Sequence, residues 1–425
     1  MDIRLHYGLE GLTVRLPDAW EVEVVRKRPM PVLPDPAEAL EHALKQPLGA
    51  PALARQAQGC RTACILVCDA TRPAPNGLLL PALIRTLSEA GIEAGRITIL
   101  VATGLHRPNL GEELRRLIGV EGLLETVAVV NHEARRDEDH VLVGRTSRGT
   151  PVLLDRRFVE ADLRIATGLV EPHFMAGYSG GRKVVTPGVA HAETITRLHT
   201  ARFLEDERAA AGVLAGNPLH QELLDALDLI GPVTAVNVVL DEERRPCFIN
   251  YGEIVASHAA AAGFMKAFAE IPIRRPFATV IATGAGHPLD ATYYQTVKGM
   301  VSALGALKEG GGLFIASACS EGMGSAAYVQ AQKRLVRLGP ERFLSSLLGK
   351  ERAEVDEWQT EMQLRAMRAG RVHLFTTGLS EMEKGLTGVQ VVASLEAAVR
   401  EWVDRAGDRR VAVIPEGPYV VPMPA

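Results

Sequence analysis

The sequence predicts an α/β protein made of two α/β domains with mostly parallel sheets. Continuous apolar segments such as Ala63–Cys68 and Phe277–Ala282 alternate along the chain with segments of helical periodicity. Strands that are apolar on both faces are typical of parallel sheets covered by helices. The length of 425 residues is enough for two or three such domains with buried cores.

Composition and charge exclude several classes of protein. The net charge of -4 and the lack of a Lys/Arg run give no reason to expect nucleic acid. No apolar run approaches the roughly 20 residues that would span a bilayer, so we expect no membrane association. The first eight residues do not form the apolar core of a signal peptide, and five cysteines, an odd number, favour a reducing compartment. We therefore expect a soluble, cytoplasmic protein.

The first predicted domain covers residues 1–270. Residues 2–26 alternate apolar and polar, which predicts a small antiparallel set of strands. Asp35 and Pro36 form a cap and first-turn pair that opens a helix through Leu44. The α/β pattern then predicts strands at 63–68, 96–102, 126–130, 141–143, 152–154, 163–166 and 233–240, and helices at 78–90, 217–228 and 253–269.

Residues 271–276 are predicted to be a linker, because Pro272 and Pro276 forbid a continued helix. A second α/β domain is predicted for residues 277–407. Its strands are expected at 277–282, 312–317 and 372–375, and its helices at 293–308, near 325–348, at 355–369 and at 395–405. The last segment, 408–425, contains a strand at 410–415 that could join either domain.

Three Ala-Thr-Gly turns each follow an apolar strand, and each places a histidine just beyond that strand. These histidines are His106, His173 and His287. In open α/β sheets, ligands bind at the carboxyl ends of the strands. Thr-Gly is also a common turn sequence, so coincidence stays a competing explanation.

The segment 171–199 concentrates candidate functional groups. Lys183 is the only lysine between Lys45 and Lys266 in a chain that otherwise uses arginine. An amine can lose its proton and form an amide or imine, which a guanidinium cannot. Ser179-Gly-Gly-Arg-Lys183 resembles a phosphate-binding loop, but Val184 stands where such a loop needs Ser or Thr. The alternative is a glycine-rich turn with a surface lysine.

Other polar groups could bind a ligand or could be structural. In Asp69-Ala-Thr71-Arg72-Pro73, the polar side chains could bind ribose hydroxyls, a phosphate or a carboxylate, or could simply cap a turn. Gln295 and Lys298 lie one helical turn apart, and could bind one anion or form a solvated helix face. Trp358 is either core or a cleft wall. His106, His173 and His199 suit proton transfer or metal binding, and spacing does not decide between these roles.

In combination these motifs resemble the nickel-pincer lactate racemase family. The resemblance covers nearly the whole chain in order, and it includes the Trp358-Gln359 pair. The matching motifs are Asp69-x-Thr-Arg-Pro, Thr103-Gly-x-His-Arg107, Glu171-Pro-His-x-x-Ala-Gly-Tyr-Ser-Gly-Gly-x-Lys183, Pro187-Gly188 and Pro288-Leu-Asp-x-x-Tyr-Tyr-Gln-x-x-Lys-Gly299.

The resemblance implies a racemase or epimerase of a 2-hydroxy acid with its active site between the two domains. The implied cofactor is the nickel-pincer nucleotide, a pyridinium-3-thioamide-5-thiocarboxylate mononucleotide with Ni. The implied reaction is proton-coupled hydride transfer to and from that pyridinium through a 2-keto acid. Partners would be the substrate and the cofactor-synthesis proteins that load the enzyme.

Residue roles follow from the same resemblance. Lys183 would be covalently linked to the cofactor, and His199 would be the protein ligand to nickel. His106 and His173 would be the general bases on opposite faces of the substrate. Asp69, Thr71 and Arg72 would bind cofactor, and the substrate would be held by Arg72, Tyr294, Gln295, Lys298 and Trp358.

Two other functions stay open. An NAD-dependent 2-hydroxyacid dehydrogenase is disfavoured by the absence of a Gly-x-Gly-x-x-Gly turn followed by an acidic residue. A non-catalytic protein that binds the nickel cofactor would need Lys183 and His199 but not paired bases. Neither the substrate's identity nor the oligomeric state follows from the sequence.

Overall fold

The computed structural model describes residues 1–72 and 74–424. Over these ranges the chain forms 20 strands and 17 α-helices, arranged around two large sheets that are mostly parallel. This confirms the predicted fold class of two α/β domains. No helix in the described part of the chain is long and apolar enough to cross a bilayer.

The strands are β1 Asp2–Leu5, β2 Leu12–Arg15, β3 Glu21–Val24, β4 Ala63–Cys68, β5 Ile97–Ala102, β6 Ala128–Asn131, β7 His140–Arg145, β8 Pro151–Asp155, β9 Leu163–Leu169, β10 Pro172–His173, β11 Gly177–Tyr178, β12 Thr234–Leu240, β13 Pro246–Glu253, β14 Glu270–Ile273, β15 Phe277–Thr283, β16 Leu307–Ala316, β17 Gly370–Phe375, β18 Gln390–Val391, β19 Arg410–Ile414 and β20 Val421–Pro424.

The α-helices are α1 Pro36–Lys45, α2 Leu53–Ala57, α3 Asn76–Glu89, α4 Gly111–Ile118, α5 Leu123–Thr126, α6 Arg156–Val159, α7 Arg182–Val185, α8 Ala192–Leu198, α9 Ala201–Leu204, α10 Pro218–Asp228, α11 Ile254–Ala269, α12 Tyr293–Ser302, α13 Ala326–Leu338, α14 Pro340–Leu348, α15 Glu357–Ala369, α16 Glu381–Lys384 and α17 Leu395–Ala406.

The first domain is built on a sheet with the strand order β13-β12-β9-β4-β5-β6. All its neighbouring strands are parallel except the edge pair β12 and β13. In β4, Ile65 and Val67 contribute to one hydrophobic cluster, while Cys64 and Leu66 contribute to another on the opposite face. This alternation is the two-residue period of a strand covered on both sides. The carboxyl ends of β4, β5 and β9 lead into the segments that carry Asp69, His106 and Glu171.

The second domain is built on a sheet with the order β18-β17-β16-β15-β19-β3, in which every neighbouring pair is parallel. Helix α12, which carries Gln295 and Lys298, follows β15 through the connection 284–292. Thr292 caps this helix, because its side chain accepts a hydrogen bond from the backbone N–H of Gln295.

The domain boundary differs from the predicted division at 1–270. Strand β3 pairs in parallel with β19 of the second sheet. Strands β1 and β2 form an antiparallel pair whose apolar side chains pack against Ile281 and Phe314 of the second domain. The segment at 410–414 also joins the second sheet, through pairing with β15, whereas the sequence leaves the domain of residues 408–425 open. Ala425 lies outside the described residues. Such pairing over hundreds of residues leaves no trace in the local alternation pattern.

The two domains meet along a continuous apolar interface. One hydrophobic cluster contains Phe174 and Leu198 of the first domain together with Val297 and Met362 of the second. The predicted linker region is itself partly structured, because β14 pairs in parallel with β20. At this interface the segment after β9 packs against α12 and α15.

The segment that carries His199 is held against the second domain by polar contacts. Arg368 forms an ion pair with Glu205 at 2.8 Å. Arg365 donates to the Ala209 carbonyl at 2.8 Å, and the Ala353 N–H donates to the Thr196 carbonyl at 3.0 Å. Both domains therefore fix the position of this histidine.

Candidate active site

His106 lies in the turn that follows β5 and is oriented by Asp69 at the end of β4. Its Nδ1 lies 2.6 Å from Asp69 Oδ2. Because an ionised carboxylate can only accept, this nitrogen carries the proton and Nε2 keeps a free lone pair. Burial alone would raise the pKa of Asp69, but hydrogen bonds from His106 and from the Thr71 hydroxyl bring that pKa below its usual value. Asp69 thus stays ionised, while the His106 ring is 59% exposed to the cleft.

The loop around His106 is clamped by the end of β6. The Asn109 N–H donates to Asn131 Oδ1 at 2.8 Å, and Asn131 Nδ2 donates back to the Asn109 carbonyl at 2.9 Å. On the other side of His106, the Thr103 hydroxyl donates to the His132 carbonyl at 2.7 Å. The loop is therefore fixed on both sides of the histidine.

His173 is in a different environment. It is only 8% exposed, and its Nδ1 accepts from the backbone N–H groups of Met175 and Ala176 at 3.3 and 3.2 Å. The neutral ring therefore carries its proton on Nε2. Burial, followed by the charges of Lys183, Arg72 and Lys298, lowers the pKa of His173 well below its usual value. The ring is neutral at physiological pH.

The glycines before Lys183 serve packing. Gly180 and Gly181 both have positive φ, and a Cβ on Gly181 would lie 2.7 Å from the Cβ of His258. Glycines in such a loop often allow the backbone to approach a ligand closely. Here their immediate neighbours are protein side chains. Beside them, the buried Arg182 donates to the Ala176 carbonyl at 2.7 Å and contacts His258 Nε2 at 2.8 Å, while burial lowers its pKa to about 9.

Lys183 follows in α7 and is partly buried. Burial first, and then the charges of Arg72, Arg182 and Lys298, lowers the pKa of Lys183 well below its usual value. Burial thus favours the neutral amine, which is the nucleophilic form. Across the cleft, burial and the charge of Arg72 lower the pKa of Lys298 to about 7, although Glu171 and Asp69 oppose that shift.

His199 ends α8 and faces the second domain. Its Nδ1 donates to the Ile195 carbonyl at 2.8 Å, so that Nε2 keeps its lone pair. Burial lowers the pKa of His199 to about 4. The ring lies 4.6 Å from the ring of Trp358, whose Nε1 donates to the Tyr294 hydroxyl at 3.4 Å. A neutral imidazole with a free nitrogen thus stands at the domain interface.

The substrate-binding candidates of α12 are held by α15. Gln359, only 1% exposed, donates to the Tyr294 carbonyl at 2.7 Å. Gln295 Oε1 is buried without a hydrogen-bond partner among the described residues. A buried amide oxygen without a partner is costly, which indicates a ligand donor at this position.

Contacts and mutual charge effects link the predicted groups of both domains at this interface. His287 is the exception, since it is exposed and its N–H donates to the Gly8 carbonyl near the N-terminal strands. Pro73 of the Asp69 motif lies outside the described residues. The assignment of Asp69 and Thr71 to cofactor binding stays a prediction, and the structure adds the pairing with His106.

Four residues near the site were not predicted. Asn131 and Arg182 support the histidine and lysine loops, Glu171 pairs with Arg72 at 3.4 Å, and Tyr419 packs near Glu171 from the C-terminal segment. Glu171 stood in the matched motif, and its position two residues before His173 was a usable signal. The others depend on contacts between distant segments.

Comparison with known proteins decides the family. The model of the lactate racemase N-terminal domain matches residues 7–212, and that of the lactate racemase C-terminal domain matches residues 274–421. The chain belongs to the lactate racemase family. It is 30% identical to the lactate racemase of Thermoanaerobacterium thermosaccharolyticum over 99% of both chains. It is 32% identical to that of Lactiplantibacillus plantarum over 90% of both.

Solved structures agree with this membership. The lactate racemase apoprotein from T. thermosaccharolyticum superposes with a TM-score of 0.93 at 28% identity, covering 99% of this chain and 100% of that one. A Thermotoga maritima protein matches with a TM-score of 0.68 at 19% identity, covering 92% and 99%, and shares the fold. As a member of the lactate racemase family, this protein is an isomerase of the racemase type.

Proposed function

We propose that this racemase interconverts the two configurations of a 2-hydroxy acid with the nickel-pincer nucleotide as its cofactor. The observation that carries the proposal is the pair of imidazoles in one cleft, His106 and His173, beside the neutral amine of Lys183. A racemase has to handle a substrate from both faces, and two proton-transfer groups meet that need. Lactate, the substrate named for the relatives, is the first candidate.

The residues present fit the cofactor. Lys183 offers a neutral amine for a thioamide link, and His199 offers a free Nε2 to nickel. In the described residues no group of three or more His, Cys, Asp or Glu side chains could hold a metal. His199 is the protein ligand that we assign to nickel. Held by Lys183 and His199, the cofactor would supply a centre for reversible hydride transfer at the substrate Cα.

The remaining steps belong to the side chains. Arg72 and Lys298 bind the substrate carboxylate, since both are cations on opposite walls of the cleft. Gln295 donates a side-chain N–H to the substrate oxygen, which leaves the single hydroxyl proton free for a base. His106 accepts the hydroxyl proton at Nε2, while Asp69 stabilises the cation that forms. On the other face, His173 accepts the hydroxyl proton at Nε2 once its own ring proton has moved to Nδ1, which requires the contacts with the N–H groups of Met175 and Ala176 to break. Trp358 and Tyr294 exclude water from the site.

Loading is the direct test of the cofactor. Protein made in a host that builds the cofactor should carry an added mass and one nickel, and should racemise a 2-hydroxy acid without added NAD. Lys183→Ala should lose the covalent mass, whereas the matched surface variant Lys384→Ala should keep it. Turnover that depends on added NAD would instead favour a dehydrogenase. A loaded protein whose bound cofactor survives Lys183→Ala after denaturation would contradict the covalent link.

A further inference from the structure

Glu171 places a carboxylate inside the cation cluster of the site. Its Oε2 lies 3.4 Å from Arg72 Nη1, with the two side chains 22% and 29% exposed. Its charge also acts on Lys298, where it raises a pKa that burial and Arg72 lower. Glu171 therefore lies among the groups that would bind a substrate carboxylate.

The backbone fixes Glu171 in this position. Its N–H donates to Ser179 Oγ at 2.9 Å, and the Ser179 N–H donates to the Glu171 carbonyl at 2.9 Å. Ser179 in turn is only 1% exposed and donates to the Leu169 carbonyl. Glu171 also directly precedes the short strand that carries His173. The backbone of Glu171 is therefore fixed next to His173.

The charges of the site leave room for one substrate carboxylate. Arg72 and Lys298 are the two cations that reach the substrate, once Lys183 is tied to cofactor. Glu171 balances one of them, and Asp69 is already paired with His106. Tyr419 adds no charge, because burial and the charge of Glu171 raise the pKa of its phenol, which therefore stays neutral. A second substrate carboxylate would be left unpaired beside Glu171.

We propose that Glu171 is a specificity-determining residue that selects 2-hydroxy monocarboxylates with an uncharged side chain and rejects 2-hydroxy dicarboxylates. The inference rests on the proposed function. Like charges placed together in a partly desolvated site are unfavourable by an amount that corresponds to roughly tenfold or more in affinity. Substrate selectivity thus depends on repulsion between Glu171 and a second carboxylate as well as on attraction of the first.

The test compares lactate with malate on the loaded enzyme. Wild type should show a kcat/KM for lactate at least about tenfold above that for malate. Glu171→Gln should reduce this ratio about tenfold, mainly through a lower KM for malate, and Glu171→Asp should keep the preference. Glu160→Gln, which breaks a surface ion pair with Arg156, is the matched control and should leave the ratio unchanged.

Equilibrium binding to the loaded protein separates this inference from the proposed function. Ligand-observed NMR with racemic lactate and racemic malate measures binding and needs no net turnover. A lactate preference that disappears in Glu171→Gln supports the role of Glu171 even if the loaded enzyme racemises neither acid, a result that would overturn the proposed function alone. Equal binding of both acids to wild type, or a preference unchanged in Glu171→Gln, would overturn the role of Glu171.

Discussion

The imidazoles of His106 and His173 differ in their exposure to solvent and in their hydrogen bonds. His106 is exposed to the cleft, and its Nδ1 proton is bound by an ionised carboxylate. His173 is buried among cations, and its Nδ1 accepts from two backbone N–H groups. Burial and the nearby cations disfavour the cationic form of the His173 ring. A reaction that runs both ways is therefore served by two unequal proton-transfer groups.

Thermodynamics limits which kinetic constants can reveal the difference between the two histidines. Because two enantiomers have the same free energy in solution, kcat/KM has to be equal in the two directions at every pH. Different states of the two histidines can therefore show only in kcat and KM taken separately. The predictions below perturb one loop at a time.

The largest effect is expected from Asp69→Asn in the His106 loop. An amide can donate to Nδ1 and so shift the imidazole proton to Nε2, where the lone pair is needed. We expect kcat to fall about 10²- to 10⁴-fold with little change in KM. Steady-state kinetics in both directions measure this. Retention of full kcat would show that the His106–Asp69 pair has no role in proton transfer.

The next largest effect is a pH-dependent KM that depends on Lys298, which lies near His173. The free enzyme loses the Lys298 charge above its pKa of about 7, so KM should rise about tenfold per pH unit above that value. Lys298→Met should have a high KM that no longer changes with pH in this range. The acid limb of its kcat–pH profile should shift to higher pH, because one of the charges that lowers the pKa of His173 is gone. A KM that is flat with pH in wild type would contradict the assignment.

A smaller effect is expected from the clamp on the His106 loop. Asn131→Ala removes both hydrogen bonds to Asn109, at a cost of about 1–3 kcal/mol in the free energy of unfolding. We expect kcat to fall several-fold. Asn131→Asp serves as the partial control. Asp keeps the acceptor and should lose less. Equal kcat in all three proteins would show that loop position does not limit catalysis.

The smallest effect is expected in the stability of the apoprotein. The pKa of His173 is lower in the folded than in the unfolded state, so the unfolded chain binds more protons as pH falls below about 6.5. The stabilisation present above that pH is lost in acid. Between pH 7 and pH 5, His173→Gln should lose about 1–2 kcal/mol less stability to urea than wild type. An identical loss in both proteins would contradict the buried neutral state.

Much of this molecule follows from its sequence, and the exceptions have a common cause. Strands such as 63–68 and the helix at α12 follow from local apolar patterns. Strand β3 does not, because its partner β19 lies near the other end of the chain. The alternation in residues 2–26 describes the strand and carries no information about which sheet it joins.

The site shows the same division. The motifs give the residue types of the cleft, and the carboxyl ends of β4 and β5 place Asp69 near His106. Which oxygen binds which nitrogen depends on rotamers, and so the pairing of Asp69 with His106 had to be observed. The different protonation of His173 depends on backbone N–H groups, which no side-chain motif specifies.

The most direct test asks whether the two histidines serve opposite faces of the substrate. Loaded His106→Ala and His173→Ala proteins are mixed with each enantiomer separately and quenched in acid, and the 2-keto acid formed is measured per active site. Each variant should fail to racemise, yet each should form 2-keto acid from one enantiomer, and the two variants should use opposite enantiomers. If both variants oxidise the same enantiomer, or if either still racemises at the wild-type rate, the two-histidine account is wrong.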